Sequence, residues 1–132
     1  MKKILFVCSG NTCRSPMAEA IYEHITGEPA KSAGLGASEG DGMNRNAIEA
    51  LKNMGITDFS HTAIPLTVDI ANEADEIYCM GKIHKYMIDN AGFADKTFLL
   101  GDEDIPDPYG GTVDIYERCA EKIRGCIEKR WK

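Results

Sequence analysis

The sequence has no apolar run near the roughly 18 residues that a helix needs to cross a bilayer. Its opening stretch, Ile4 to Val7, gives way at once to polar loop residues, so the basic Met1-Lys2-Lys3 start is not that of a signal peptide. No membrane partner is expected. Basic residues are in deficit: 15 Lys and Arg against 21 Asp and Glu leave a formal charge of −6. A protein that draws its affinity from nucleic-acid phosphates carries the opposite balance, so no nucleic-acid partner is expected and any phosphate site must be local. Paired cysteines are missing too. Cys8, Cys13, Cys79, Cys119 and Cys126 are odd in number and lack the spacing of a disulfide framework or a zinc site, which points to a reducing cytoplasm. His24, His61 and His84 stand far apart, so no metal and no cofactor is expected, and each reads as a surface or core histidine. Repeats and Pro- or Ser-rich linkers are likewise absent, and residues 1–132 are expected to form a single domain with one site, working as a monomer.

What is present is alternation. Ile4 to Val7 is continuously apolar, as in a strand buried on both faces, and Met17, Ile21 and Ile25 follow at helical spacing. Ser15 is placed to cap this helix, Pro16 suits its first turn and Gly27 its end. Ala47, Leu51 and Met54 predict a second helix closed by Gly55. Glu76 to Met80 and Thr97 to Leu100 read as short strands with a helical stretch, Lys82 to Asn90, between them. Tyr116, Ala120, Ile123 and Ile127 mark a final amphipathic helix. Strands alternating with helices predict an α/β domain with a mainly parallel sheet, whose ligands bind beyond the carboxyl ends of the strands.

The segment after Val7 occupies that place and reads Cys8-Ser9-Gly10-Asn11-Thr12-Cys13-Arg14-Ser15. A cysteine ends a strand and, six residues on, an arginine opens a helix. The helix N-terminus offers unpaired N–H groups, and Gly10 and Asn11 tolerate the left-handed angles that wrap further N–H groups around an anion. The loop is a phosphate cradle. The same helix end and a neighbouring arginine favour a cysteine's thiolate, the form that attacks. Arg14 supplies a planar fork for two phosphoryl oxygens, and Ser15 is in reach to donate a hydrogen bond to the sulfur. In phosphoryl transfer the leaving atom gains charge, so an acid is needed. Asp107 is the candidate, because Pro106 and Pro108 restrict the backbone on both sides of it. Tyr109, two residues on, is placed to stack on an aromatic substrate ring. Cys13 shares the loop with Cys8 and is near enough to capture an oxidised Cys8 as a disulfide.

The run Val7 to Glu19, with Ser32-Ala33-Gly34, Ser60-His61-Thr62-Ala63 and Asp107-Pro108-Tyr109-Gly110, resembles the low-molecular-weight protein tyrosine phosphatase family over nearly the whole chain. The resemblance implies a four-stranded parallel sheet flanked by helices. It also implies Cys8 as nucleophile, Arg14 and the residues around it as the phosphate loop, and Asp107 as general acid. Hydrolysis of phosphotyrosine in a phosphorylated protein through a phosphocysteine intermediate follows, with Asn11, Ser32 and His61 as the network that holds the loop.

Three rivals remain in view. An arsenate reductase on this fold needs two further relay thiols, and Cys79 lacks a partner, position 86 being Tyr. A silent phosphate-binding module has no need of Asp107. The serious rival concerns substrate: Thr12, Pro65-Leu66-Thr67 and Gly110-Gly111 resemble the protein-arginine phosphatases of the same family, and Ile64 and Gly110 depart from residues common in the tyrosine phosphatases. Phosphotyrosine stays ahead because one side chain in a shared pocket typically moves specificity by only about 1 to 3 kcal/mol.

Overall fold

A strand that is apolar at every position is satisfied only between two layers, and β1 (Ile4–Cys8) is buried at all 5 residues. In the computed structural model, which describes residues 2–132, β1 lies inside a four-stranded parallel sheet. Its neighbours are β2 (Lys31–Gly34) and β3 (Glu76–Cys79), and β4 (Thr97–Leu99) closes the order β2-β1-β3-β4. This is the sheet that the alternation and the resemblance predict. Ile4 and Phe6 face α1 (Arg14–Thr26), α2 (Arg45–Asn53) and α5 (Val113–Trp131). Leu5 and Val7, with Ile77 and Cys79, face α3 (Val68–Glu73) and α4 (Lys82–Ile88). At the far end of the sheet Trp131 packs edge-on against Phe6, Tyr22 and Tyr78, which anchors the end of α5.

Because α1 carries the chain from β1 out to β2 while β3 lies on the other flank of β1, the strand order reverses at β1. The crevice beyond β1 and β3 is therefore where this topology binds ligands.

Among the strands and α-helices, β2 and α3 lie outside the sequence expectation, and two local expectations need correction. Ser15 does not cap α1: the capping position is Cys13, with no side-chain cap bond, and Ser15 sits inside the helix with its hydroxyl on Cys8. Only Asn11 of the Gly10-Asn11 pair takes the left-handed conformation, at φ 55°. Gly27 ends α1 as expected, at φ 73° with its N–H bonded to the Glu23 carbonyl.

Candidate active site

Cys8 is the last residue of β1 and Arg14 the first of α1, and both are buried. The five residues between them form a tight loop, turned by Asn11, the one non-glycine residue with positive φ among the described residues. Its base rests on the turn after β2: Leu35 N–H donates to the Cys8 carbonyl and Gly36 N–H to that of Ser9. Gly34 makes this approach possible. A Cβ there would stand 2.6 Å from the Ser9 carbonyl oxygen and 2.9 Å from the Asn11 nitrogen, both rigid backbone atoms.

A chain of hydrogen bonds behind the loop fixes the direction of each proton. Ile64 N–H can only donate, and it meets Asn11 Oδ1 at 2.8 Å, so that atom is the amide oxygen and the other is the NH₂. Asn11 Nδ2 then donates to Ser15 Oγ at 2.8 Å and to Ser32 Oγ at 3.0 Å. Ser15, already accepting, sends its own proton to Cys8 Sγ at 2.9 Å, and Asn11 N–H approaches the same sulfur at 3.3 Å. Two donors thus converge on the sulfur, the arrangement that suits a thiolate. Ser32 likewise donates onward to Glu19 Oε1 at 2.7 Å. His61 Nε2 lies 2.8 Å from Asn11 Oδ1 and must carry the proton, which leaves Nδ1 facing Glu19 at 3.8 Å.

Ser32 and His61 are therefore joined to the loop through Asn11, and Glu19, which the sequence reading did not single out, extends the chain from Ser32. Burial pushes the Glu19 carboxyl up to about 7, against the Ser32 hydrogen bond that pulls it down. Burial also lowers His61, so neutral forms of both are favoured.

On the open side, Arg14 Nη1 donates to the Ile105 carbonyl at 3.0 Å and Nη2 lies 3.7 Å from Asp107 Oδ2. The side chain of Asp107 is 55% exposed, and its Oδ1 accepts from Tyr109 N–H at 3.1 Å, a local turn that holds the carboxyl over the loop. Tyr109 itself is 77% exposed at the mouth. Thr12 is half-buried with its hydroxyl 3.7 Å from Cys13 Sγ, and its Oγ1 is the nearest atom that a Cβ on Gly10 would meet. Cys13 turns away to Tyr116 Oη at 3.5 Å, and burial raises its thiol. Burial holds Cys79 and Cys119 at about 12, inert as thiols. His84, expected to be isolated, is instead 2.9 Å from Ser9 Oγ through Nε2. Among the described residues no group of three or more His, Cys, Asp or Glu is arranged to hold a metal ion.

A buried sulfur that accepts two hydrogen bonds, a buried guanidinium at the head of the helix that follows and an exposed carboxyl 3.7 Å from that guanidinium form a constellation suited to anionic phosphoryl groups. The family model for low molecular weight phosphotyrosine protein phosphatases matches residues 3–131. The chain belongs to this family. Its members are cysteine-dependent phosphatases, and the loop just described has a Cys-x5-Arg spacing from Cys8 to Arg14. The protein-arginine-phosphatase of Bacillus subtilis (strain 168) is 36% identical, over 96% of this chain and 92% of its own length. The low molecular weight protein-tyrosine-phosphatase PtpB of Staphylococcus epidermidis is 34% identical, over 96% and 95%. A solved structure of the YwlE arginine phosphatase, a cysteine-to-serine mutant with a phosphorylated active-site serine, matches with a TM-score of 0.91 and 34% identity, covering 96% of this chain and 91% of that one.

Proposed function

We propose that Cys8, as thiolate, attacks the phosphorus of a phosphorylated protein side chain in line, while Arg14 and the loop residues Ser9, Gly10, Asn11, Thr12, Cys13 and Ser15 hold the phosphoryl group. A sulfur–phosphorus bond forms as the bond to the leaving atom breaks, and Asp107 gives that atom its proton. Water then attacks the phosphocysteine, Asp107 takes a proton from it, and phosphate and the Cys8 thiolate are released. The observation that carries this reading is the pair of donors, Ser15 O–H and Asn11 N–H, converging on Cys8 Sγ, in a loop whose Arg14 lies 3.7 Å from Asp107. The phosphorylated serine in the related mutant structure supports the covalent intermediate.

For substrate, phosphotyrosine comes first: Tyr109 is exposed two residues from Asp107, where it offers a ring face to a phenyl group. Thr12 favours a second reading, phosphoarginine. Its hydroxyl lies beside Gly10 in the loop and offers a hydrogen bond to a guanidinium leaving group or to the attacking water, and relatives named protein-arginine-phosphatase match over 96% of the chain. The five free thiols support a reducing cytoplasm, and one chain carries every group named, so a monomer suffices.

The deciding measurement is kcat/KM on phosphotyrosyl and phosphoarginyl peptides of matched sequence, with Cys8→Ser as control. Faster turnover of phosphotyrosine supports the first reading. Preference for phosphoarginine, lost in Thr12→Ile, selects the second, and turnover that survives Cys8→Ser overturns the mechanism.

A further inference from the structure

His84 lies on α4, 75 residues from the loop in sequence, and only 3% of it is exposed. Its Nε2 meets the Ser9 hydroxyl, the side chain next to the nucleophile position, while its Nδ1 is buried with no hydrogen-bond partner. An orphaned buried nitrogen is destabilising, and an apolar side chain of similar volume would remove the penalty. The orphan side faces a carboxylate across a glycine: a Cβ on Gly81 would stand 3.4 Å from both His84 Nδ1 and Asp104 Oδ2. Asp104 is fixed there by the Lys82 N–H, which donates to its other oxygen at 2.9 Å.

The imidazole thus stands between opposed charges. Arg14 at the start of α1 favours the neutral ring, Asp104 and Asp107 on the loop before α5 favour the cation, and Lys82 and Lys85 flank it on α4. Burial, the largest influence, adds to that of Arg14 and favours the neutral ring. With the neutral ring's one proton on Nδ1, the side that faces the Asp104 carboxylate, Nε2 is bare and accepts the Ser9 proton. An oxyanion in the loop offsets Arg14 and adds negative charge nearby, which reverses the balance. In the cation both nitrogens carry protons, so Nε2–H donates to Ser9 Oγ and the hydroxyl must point its own proton elsewhere.

We infer that His84 is a positioning residue that takes up a proton from solvent when an oxyanion fills the loop, and so turns the Ser9 hydroxyl proton from the imidazole toward the occupant. This rests on reading residues 8–15 as an oxyanion cradle. Loop occupancy, helix α4 and proton count are then linked through one hydrogen bond.

Sulfate is the probe, because it remains a dianion across pH 5 to 8. Imidazole resonances would be followed by NMR against pH, with and without saturating sulfate, and His84→Gln assigns the signal. The expected result is a rise of about one pH unit in the His84 midpoint, so by reciprocity sulfate binds the protonated form about tenfold more tightly. His84→Gln, which keeps an amide within reach of Ser9 but cannot titrate, lacks that tightening at low pH. In Ser9→Ala the rise shrinks, and an undiminished rise there refutes the route through Ser9. If sulfate shifts the Gly10 and Asn11 amides yet leaves the His84 midpoint unmoved, the inference is overturned and the cradle stands. If those amides do not respond, the cradle reading itself fails, and the role of His84 with it.

Discussion

Replacing Glu19 or His61 one at a time should tilt the pH dependence of stability in opposite directions. Glu19 is held at about 7 in the fold against an ordinary value of 4.5, with its side chain 15% exposed. Between those values the folded protein keeps a proton that the unfolded chain has released, so Glu19 alone makes stability fall as pH rises. The slope approaches about 1.4 kcal/mol per pH unit, or about 3 kcal/mol across the window. His61 is lowered from 6.5 by burial, so below 6.5 the unfolded chain holds a proton that the fold excludes. Its contribution therefore rises with pH up to 6.5.

Taken together the two oppose each other. From pH 4.5 to 6.5 Glu19 keeps a proton that the unfolded chain gives up, while burial makes His61 give up a proton that the unfolded chain holds, so their slopes carry opposite signs. Glu19→Gln keeps an acceptor for Ser32 and unmasks His61, so relative to wild type it gains stability by up to about 3 kcal/mol from pH 4.5 to 7. His61→Gln keeps a donor for Asn11 Oδ1 and unmasks Glu19, so it loses stability relative to wild type as pH climbs to 6.5. Urea unfolding at half-unit intervals from pH 4.5 to 8 measures both. Two difference curves that stay flat, or slope the same way, would refute the reasoning on opposed slopes.

Other expectations concern the loop. Ser15→Ala removes one charge-assisted donor from Cys8 Sγ, an interaction of about 1.5 to 3 kcal/mol, so turnover should fall by roughly 10- to 150-fold. Circular dichroism should show the fold retained, and unchanged turnover would contradict the converging-donor geometry. Gly34→Ala forces a methyl against the Ser9 and Asn11 backbone. Vanadate affinity and thermal stability should fall together, and an intact inhibitor site in this variant would be incompatible with the contacts. Asp107→Asn should slow peptide substrates by about 10²- to 10⁴-fold while sparing aryl phosphates whose phenols leave without a proton, which stopped-flow release of a nitrophenol tests. Equal losses on both substrates would assign Asp107 a different role.

What the sequence could reveal depended on whether a residue's job is set by its neighbours in the chain or by distant ones. The apolar run of β1, the cysteine at its end, Arg14 six residues on and the periodicity of α1 and α5 are local patterns, and all reappear in the structure. Lys31–Gly34 carries no β-branched or aromatic residue and is a strand because β1 pairs with it, which local propensity cannot register. Val68–Glu73 is too short, at 6 residues, to show a helical period, although Thr67, accepting from Ile70 N–H, was a legible cap.

Ser15 carried two local readings, and tertiary structure chose between them. A serine that capped α1 would point its oxygen at the helix's own N–H groups, whereas here Asn11 Nδ2 occupies that oxygen and directs its proton to sulfur. Glu19 and His84 needed partners 13 and 75 residues away, Ser32 and Ser9, before their chemistry had any meaning. The cysteine and arginine of the loop were thus readable as a contiguous motif. The protons that prepare them are set from outside it, beginning with the backbone N–H of Ile64, 53 residues from Asn11. A loop transplanted without that contact would keep its cysteine and arginine, yet nothing would hold the Asn11 amide in the orientation that sends the Ser15 proton to sulfur.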